Sequence, residues 1–262
     1  MPQIIDANEL TIDALLNTSG QAYIVPRHQR QFEWTKEQWS DLWEDIHTGE
    51  VEESHFLGSI VVIPEGRPLV GINYFEVNDG QQRLTTILIV LSVIRDHATL
   101  LNNADFVNHI TSQYLTANCF EKGSKKVVPK MKLGKLDDEE FRQVLEGKLQ
   151  GEEKEGHRIF DCYNYFKSLV KNLNLEQLEN LEKRIVSKII VVHINVADQF
   201  NAFRLFETLN DRGLALSAVD LIKNHLLMRA ASTGDDQIID SIVEEWQEMY
   251  ETIREYDPVV FF

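Results

Sequence analysis

Five consecutive residues, Asp79-Gly80-Gln81-Gln82-Arg83, put a carboxylate, two carboxamides and a guanidinium on one short segment. Arginine paired with carboxylates and amides suits phosphate: the guanidinium is a planar fork, and glycine lets backbone N–H groups come close. Phe75 to Val77 reads as the end of an apolar strand, Asn78-Asp79-Gly80 as a turn, and from Gln82 the apolar residues recur at helical spacing. A strand–turn–helix junction leaves the first helical N–H groups unpaired, where an anion can accept from them. Polar groups at the rim of a core are costly unless they bind something, and four of them in five residues exceed what capping a helix needs.

Three other polar clusters fall at junctions: Pro26 to Trp34 with Gln29 and Arg30, His55 to Ile60 with Gly58 and Ser59, and Glu207 to Gly213 with Asn210, Arg212 and Gly213. Each also has a purely structural reading. Arg30 and Glu33 fit an ion pair at the start of a helix, and Asn210 to Gly213 fits a helix C-cap. Other chemistries leave no trace in the sequence. It has no G-x-x-x-x-G-K-[ST] or G-x-G-x-x-G phosphate pattern, no C-x-x-C or H-E-x-x-H metal pattern and no serine-hydrolase elbow. His193 reads as a satisfied core residue of a strand, and Glu152-x-Lys154 as a chance match to half a nuclease site.

The chain of 262 residues is 43% hydrophobic and 26% charged, as in ordinary soluble globular proteins. Its net charge of −16 opposes indiscriminate binding along nucleic-acid backbones. A local exception is the run Lys122, Lys125, Lys126, Lys130, Lys132 and Lys135, with no acid between them. These lysines could steer a polyanion such as DNA, or form a solvated loop leading into a strand. Cys119 and Cys162 read as buried free thiols of a cytoplasmic protein. No apolar run reaches the length of a membrane span, and no signal peptide is visible.

The elements that must position these clusters follow from periodicity. Residues 4 to 18 read as a strand plus a helix capped by Thr11, and Thr35 with Gln38 as a capping box for the next helix. Gly58–Ile63 and Leu69–Val77 read as a hairpin, Gln82 to about Leu101 as a central helix and Lys188–Val196 as a buried strand. Residues 102–180 read as mostly helical. Two helices, Asp198–Leu209 and Ser217 to about Ala231, and a last one from about Asp235 to Tyr256 follow. The expected fold is α+β, a small mixed sheet from the segments near 23, 58–63, 69–77 and 188–196, wrapped by many helices. Residues 1–230 form one domain, its sheet core drawn from about 20–100 and 188–230 with a helical insertion at about 102–187. Residues 231–262 are expected to begin a further helical segment, cut from a longer protein.

The four clusters, in this order, resemble a bacterial family with a ParB/sulfiredoxin-like fold marked by a DGQQR loop. It forms the N-terminal half of GmrSD-type modification-dependent (type IV) restriction enzymes and of related phage-defence proteins that sense phosphorothioate DNA. Gln29-Arg30 with Trp34, Phe56 to Ile60, Asp79 to Thr86 and Phe206 to Lys223 carry the resemblance. It implies a nucleoside-triphosphate site with Mg²⁺-dependent hydrolysis, coupled to binding or cleavage of modified DNA. Asp79 would then be a metal ligand or water-positioning base, Arg83 would neutralise developing charge, and Gln81 or Gln82 would orient the attacking water. Gln29 and Arg30 would clamp phosphate, Gly58, Ser59 and Gly80 would bring backbone close to it, and Asn210, Arg212 and Gly213 would close the far wall. The family's HNH nuclease half is missing here, so it would act in cis or in trans, and a homo-oligomer is compatible with this reading. Two alternatives stand beside hydrolysis: a non-hydrolysing nucleotide switch, and a module that senses modified DNA, with the lysine run as its surface.

Overall fold

The computed structural model describes residues 5–26, 29–48, 54–65, 71–121, 124–149, 157–202, 205, 222, 226–227, 229–230 and 236–253. Along the chain run β1 (Ile5–Thr11), α1 (Ile12–Leu16), β2 (Gln21–Ile24), α2 (Lys36–Thr48), β3 (His55–Pro64), β4 (Asn73–Asp79) and α3 (Gln81–Leu100). Then follow α4 (Ala104–Ile110), a π-helical turn at Thr111–Leu115, β5 (Thr116–Glu121), β6 (Ser124–Pro129), β7 (Met131–Lys132), α5 (Asp138–Glu146), α6 (Arg158–Val170), α7 (Leu175–Lys188), β8 (Ile189–Val196) and α8 (Asp236–Ile253).

Six strands make a mixed sheet in the order β1-β8-β3-β4-β2-β7, and β5 with β6 makes a separate hairpin. Pairing is antiparallel at β1–β8 and β3–β4 and parallel at β3–β8, β2–β4 and β2–β7. Both faces of the central strands are covered. Ile60, Val62, Val77 and Val191 join the main core, while Val61, Ile63, Ile194 and Val196 pack with Ala202 on the other side. This accounts for the unbroken apolar run of β8, since a strand buried on both faces has no solvent side to alternate with.

α3 organises the helical half. Fifteen of its twenty residues are buried, and it packs against α4, α5, α6 and α7. A helix that is apolar nearly all round belongs inside a domain rather than on its surface. Its buried hydroxyls are satisfied within the helix: Thr86 donates to the Gln82 carbonyl and Ser92 to the Leu88 carbonyl, each at 2.8 Å.

The α+β class, the β3–β4 hairpin, the central helix and the buried β8 agree with the sequence reading. Thr11 caps α1 by accepting from Ala14 N at 3.1 Å. Thr35 N donates to Gln38 Oε1 at 2.9 Å, one half of the expected capping box. The stretch read as mostly helical holds a difference. Thr116–Glu121 and Ser124–Pro129 pair as an antiparallel hairpin, so Lys125 and Lys126 lie on a strand rather than in a loop. Its inward residues Ala117 and Cys119 fill a minor cluster with Ala22 and Ile72, against which Val128 packs. Both cysteines are free and buried, as expected. Among the described residues, no helix is long and apolar enough to cross a membrane. The expected helix at Ser217–Ala231, with its Ser217–Asp220 cap, lies largely outside the described residues.

Candidate functional site

Two bulges shape the junction between β4 and α3. Between β3 and β4, Val61 pairs with Asp79 and Val62 with Val77, so Asn78 is the extra residue on β4. Strict alternation would put Asp79 on the same face as the core residue Val77. The bulge instead turns it to the face of Val61 and Ser59. Between β3 and β8, Phe56 pairs with Ile190 and Gly58 with Val191, leaving Leu57 as the extra residue. Bulges re-aim side chains in this way and gather beside functional sites.

The result is a compact polar triad. Ser59 Oγ donates to Asp79 Oδ2 at 2.9 Å, Arg83 Nη2 stands 3.9 Å from the same oxygen, and Arg83 Nη1 donates to the Ser59 carbonyl. The Asp79 side chain is 16% exposed and that of Arg83 26%. Asp79 Oδ1 has no partner among the described residues, so one carboxylate oxygen is held and the other is open. Two glycines make this closeness possible. Gly80 has φ 86°, and a Cβ there would lie 2.7 Å from the Ser59 carbonyl oxygen. Gly58 has φ 128°, and its Cβ would lie 2.7 Å from Arg83 Nη1. Both conformations favour glycine, and both positions lack room for a side chain.

Gly80 also serves as the N-cap of α3, and no side chain among the described residues caps the helix start. The first-turn N–H groups, at the positive end of the helix dipole, therefore stand uncapped beside the triad.

The two glutamines have a different place from the one expected. Gln82 is 6% exposed and its amide is engaged at both ends: Nε2 donates to the Gln31 carbonyl at 2.8 Å, and Oε1 accepts from Glu33 N at 2.8 Å and Trp34 N at 3.2 Å. Gln81 is 7% exposed and donates to the Arg30 carbonyl at 3.0 Å, with Oε1 unpartnered. Gln29 Nε2 in turn donates to the Asn78 carbonyl at 3.0 Å. The glutamines therefore clasp the 29–34 segment to the start of α3, and Gln82 Oε1, which already accepts two bonds, has no lone pair left to orient a water. The structural reading of Arg30 holds: its exposed guanidinium pairs with Glu33 at 3.1 Å.

Asn210, Arg212, Gly213 and Lys122 lie outside the described residues. Lys125, Lys126, Lys132 and Lys135 are exposed. Lys130 is not a DNA-facing residue: it is 2% exposed and its ammonium donates to the Thr18 carbonyl at 3.0 Å. Burial lowers its pKa from the ordinary 10.5 to about 8. His193 lies in β8 as expected, yet its Nε2 is buried with no partner, and burial pushes its pKa down against the pull of Asp6.

The sequence did not disclose Asn78. It is 4% exposed, and its bulge decides which way Asp79 faces. The only signal was the Asn-Asp-Gly triplet, which reads equally as a simple turn.

No cluster of three or more metal-ligating side chains exists among the described residues. Mg²⁺ does not require one, since it takes one or two carboxylates and completes its octahedron with phosphates and water. A single carboxylate with one oxygen open, beside helix N–H groups that suit phosphate, fits that donor set.

No curated protein matches the chain. The model of the GmrSD restriction endonuclease N-terminal domain matches residues 12–227. That span takes in β3, β4, the Asp79–Arg83 junction, all of α3 and β8, and it ties the chain to DNA restriction. The chain belongs to the GmrSD restriction endonuclease N-terminal domain family.

Proposed function

We propose that the β4–α3 junction binds a nucleoside triphosphate with Mg²⁺ and hydrolyses it, as the regulatory domain of a modification-dependent restriction or phage-defence protein. The observation that carries this reading is the Asp79 carboxylate, fixed between the Ser59 hydroxyl and the Arg83 guanidinium at the uncapped start of α3. Phosphate oxygens accept from the first-turn N–H groups of α3. Arg83 neutralises charge that grows on the phosphoryl oxygens as the water oxygen bonds to phosphorus and the bond to the leaving diphosphate breaks. Asp79 Oδ1, the one open oxygen, takes one of two roles: it orients that water and takes its proton, or it is the protein ligand of Mg²⁺. Bound Mg²⁺ would supply charge neutralisation for the phosphates. Ser59 holds the carboxylate in line, and Gln81 and Gln82 keep the 29–34 segment against the junction as positioning residues. Modified DNA would be cut by a nuclease half acting in cis or in trans.

The second reading, a non-hydrolysing nucleotide switch, has one specific observation in its favour. Arg83 Nη1 and the Gln82 amide are already bonded within the protein, which leaves fewer free donors for a transition state. Phosphate release from ATP, GTP, CTP and UTP with Mg²⁺, compared between the wild-type chain and Asp79→Ala, separates the two. Hydrolysis predicts turnover that Asp79→Ala lowers at least about a hundredfold with an unchanged melt. Turnover that survives the substitution removes Asp79 from the chemistry, and nucleotide binding without turnover establishes the switch.

A further inference from the structure

A cavity of about 990 Å³ opens at the other end of α3, between its last turns, the β5–β6 hairpin and α6. Arg95 on its wall is fourteen residues beyond Gln81, about 21 Å along the helix axis, so this space is separate from the β4–α3 junction. The buried Val93, Leu115 and Leu145 give it an apolar floor, and the exposed Val127 also lines it.

Its charge is opposite to that of the chain. The whole sequence has 26 basic and 42 acidic residues, whereas the cavity is lined by Arg95, Lys148, Lys167 and Lys171 against only Asp96 and Glu146. Both acids are already engaged. Asp96 accepts from Arg95 Nε and from the Tyr163 hydroxyl, each at 2.8 Å, and Glu146 pairs with Lys148 at 2.7 Å. Lys167 lies 5.8 Å from the centroid of the Tyr163 ring, and neither Lys167 nor Lys171 has an acidic partner among the described residues.

The order of groups along α6 narrows the ligand. Phe160, Asn164, Lys167 and Lys171 recur at intervals of four, three and four residues, so they form one stripe down the cavity wall. An aromatic ring, a carboxamide with no partner among the described residues and two unpaired cations follow one another along it. A nucleotide presents the complementary series: a ring to stack, a base edge with donors and acceptors, and a phosphate. On the facing hairpin, exposed Lys125 lies two residues from Val127 and so on the same face of β6 as that lining residue.

We propose that this cavity holds one nucleotide unit, with its base against Phe160, its base edge on Asn164 and its phosphate on Lys167 and Lys171. The unit is either a free nucleotide or one extruded from a DNA strand. This inference rests on the family's link to DNA restriction and not on triphosphate hydrolysis at the junction.

The test uses the full chain and a fluorescein-labelled DNA duplex carrying one unpaired nucleotide, a perfect duplex of the same length, and free deoxycytidine monophosphate. Two variants separate the cavity from general surface charge. The Lys167→Glu/Lys171→Glu double substitution reverses the phosphate end. Leu100→Trp fills the mouth without changing charge, and Leu100 is 71% exposed, so the fold tolerates it. An extruded nucleotide predicts that the duplex with the unpaired nucleotide binds at least about tenfold tighter than the perfect duplex, and that both variants erase the preference. A free nucleotide predicts instead that the monophosphate binds, that neither duplex competes with it, and that both variants abolish its binding. Equal binding of the two duplexes with no binding of the monophosphate overturns the proposal, as does a preference for the unpaired-nucleotide duplex, or binding of the monophosphate, that survives Leu100→Trp. Phosphate release in the same samples reports on the junction alone, so failure of one site is distinguishable from failure of the other.

Discussion

The two ends of α3 solve opposite problems with similar residues. At the N-terminal end nearly every polar group is already bonded: Gln82 to three backbone groups, Gln81 to Arg30, Ser59 to Asp79, and Arg83 to the Ser59 carbonyl. What remains open is small: one Asp79 carboxylate oxygen, Gln81 Oε1 and a set of helix N–H groups. At the C-terminal end a single buried arginine does the bonding. Arg95 donates to the Val144 and Leu145 carbonyls at the end of α5, and Lys167 and Lys171 on the facing α6 wall have no acidic partner among the described residues. The first end is pre-organised, as a site must be to stabilise charge without reorganising. The second is roomy and adaptable, as a site that captures a ligand by shape and charge can afford to be.

Substitutions can break this contrast or sharpen it. The largest effect falls on Gly80. Gly80→Val forces a β-branched side chain to φ 86° and against the Ser59 carbonyl, and about 3 kcal/mol or more of stability is lost, read by urea unfolding. Gly134→Ala is the matched control, because a Cβ there meets nothing within 4 Å. An equal loss at both positions would show that the junction is not specially constrained.

Next in size is Gln82→Leu. It leaves two partly buried N–H groups and a carbonyl unpaired and costs roughly 3 kcal/mol. The 29–34 segment loosens with it, so hydrogen exchange at Phe32 to Trp34 rises while that at Val144 to Glu146 does not. Arg95→Met does the reverse. It removes the donors for the Val144 and Leu145 carbonyls, costs about 2 kcal/mol, and leaves phosphate release at the junction unchanged. Turnover that falls with Arg95→Met at a temperature where the variant is folded would mean the two ends are coupled through α3.

The smallest effect is a pH dependence outside both sites. The pKa of Lys130 is about 8 in the fold against an ordinary 10.5. Between these values the unfolded chain binds the extra proton, so stability rises with pH across that window. Lys130→Met flattens this slope in unfolding measurements between pH 8 and 10.5, and a slope that persists in the variant assigns it to another group.

Much of this architecture is legible in the sequence where burial is complete. β8, the β3–β4 hairpin and α3 are continuous or periodic apolar runs, and such runs have few alternatives in water. The density of polar residues from Asp79 to Arg83 marked the junction for the same reason: it contradicts the apolar residues on either side. Three things were not legible. A bulge is a matter of register between strands distant in sequence, so nothing local to Asn78 could announce which face Asp79 takes. The engagement of Gln81 and Gln82 depends on a segment some fifty residues earlier, and a free glutamine and a clasping one look alike in sequence. Lys130 sits within a run of exposed lysines, and only the fold separates its buried, carbonyl-bonded ammonium from the solvated charge of Lys125 or Lys132.

The most direct test of the account is hydrogen exchange with and without a non-hydrolysable nucleoside triphosphate and Mg²⁺, followed at both ends of α3. The first-turn amides from Gln81 to Arg83 have no side-chain cap and exchange freely until an anion accepts from them. The account predicts protection of Gln81 to Arg83 and of the neighbouring Gly58 and Ser59. It predicts that this protection is lost in Arg83→Ala and retained in Lys167→Glu/Lys171→Glu. Protection confined to the last turns of α3 and to α6, with the first turn exchanging as before, would contradict it and move the triphosphate to the cavity.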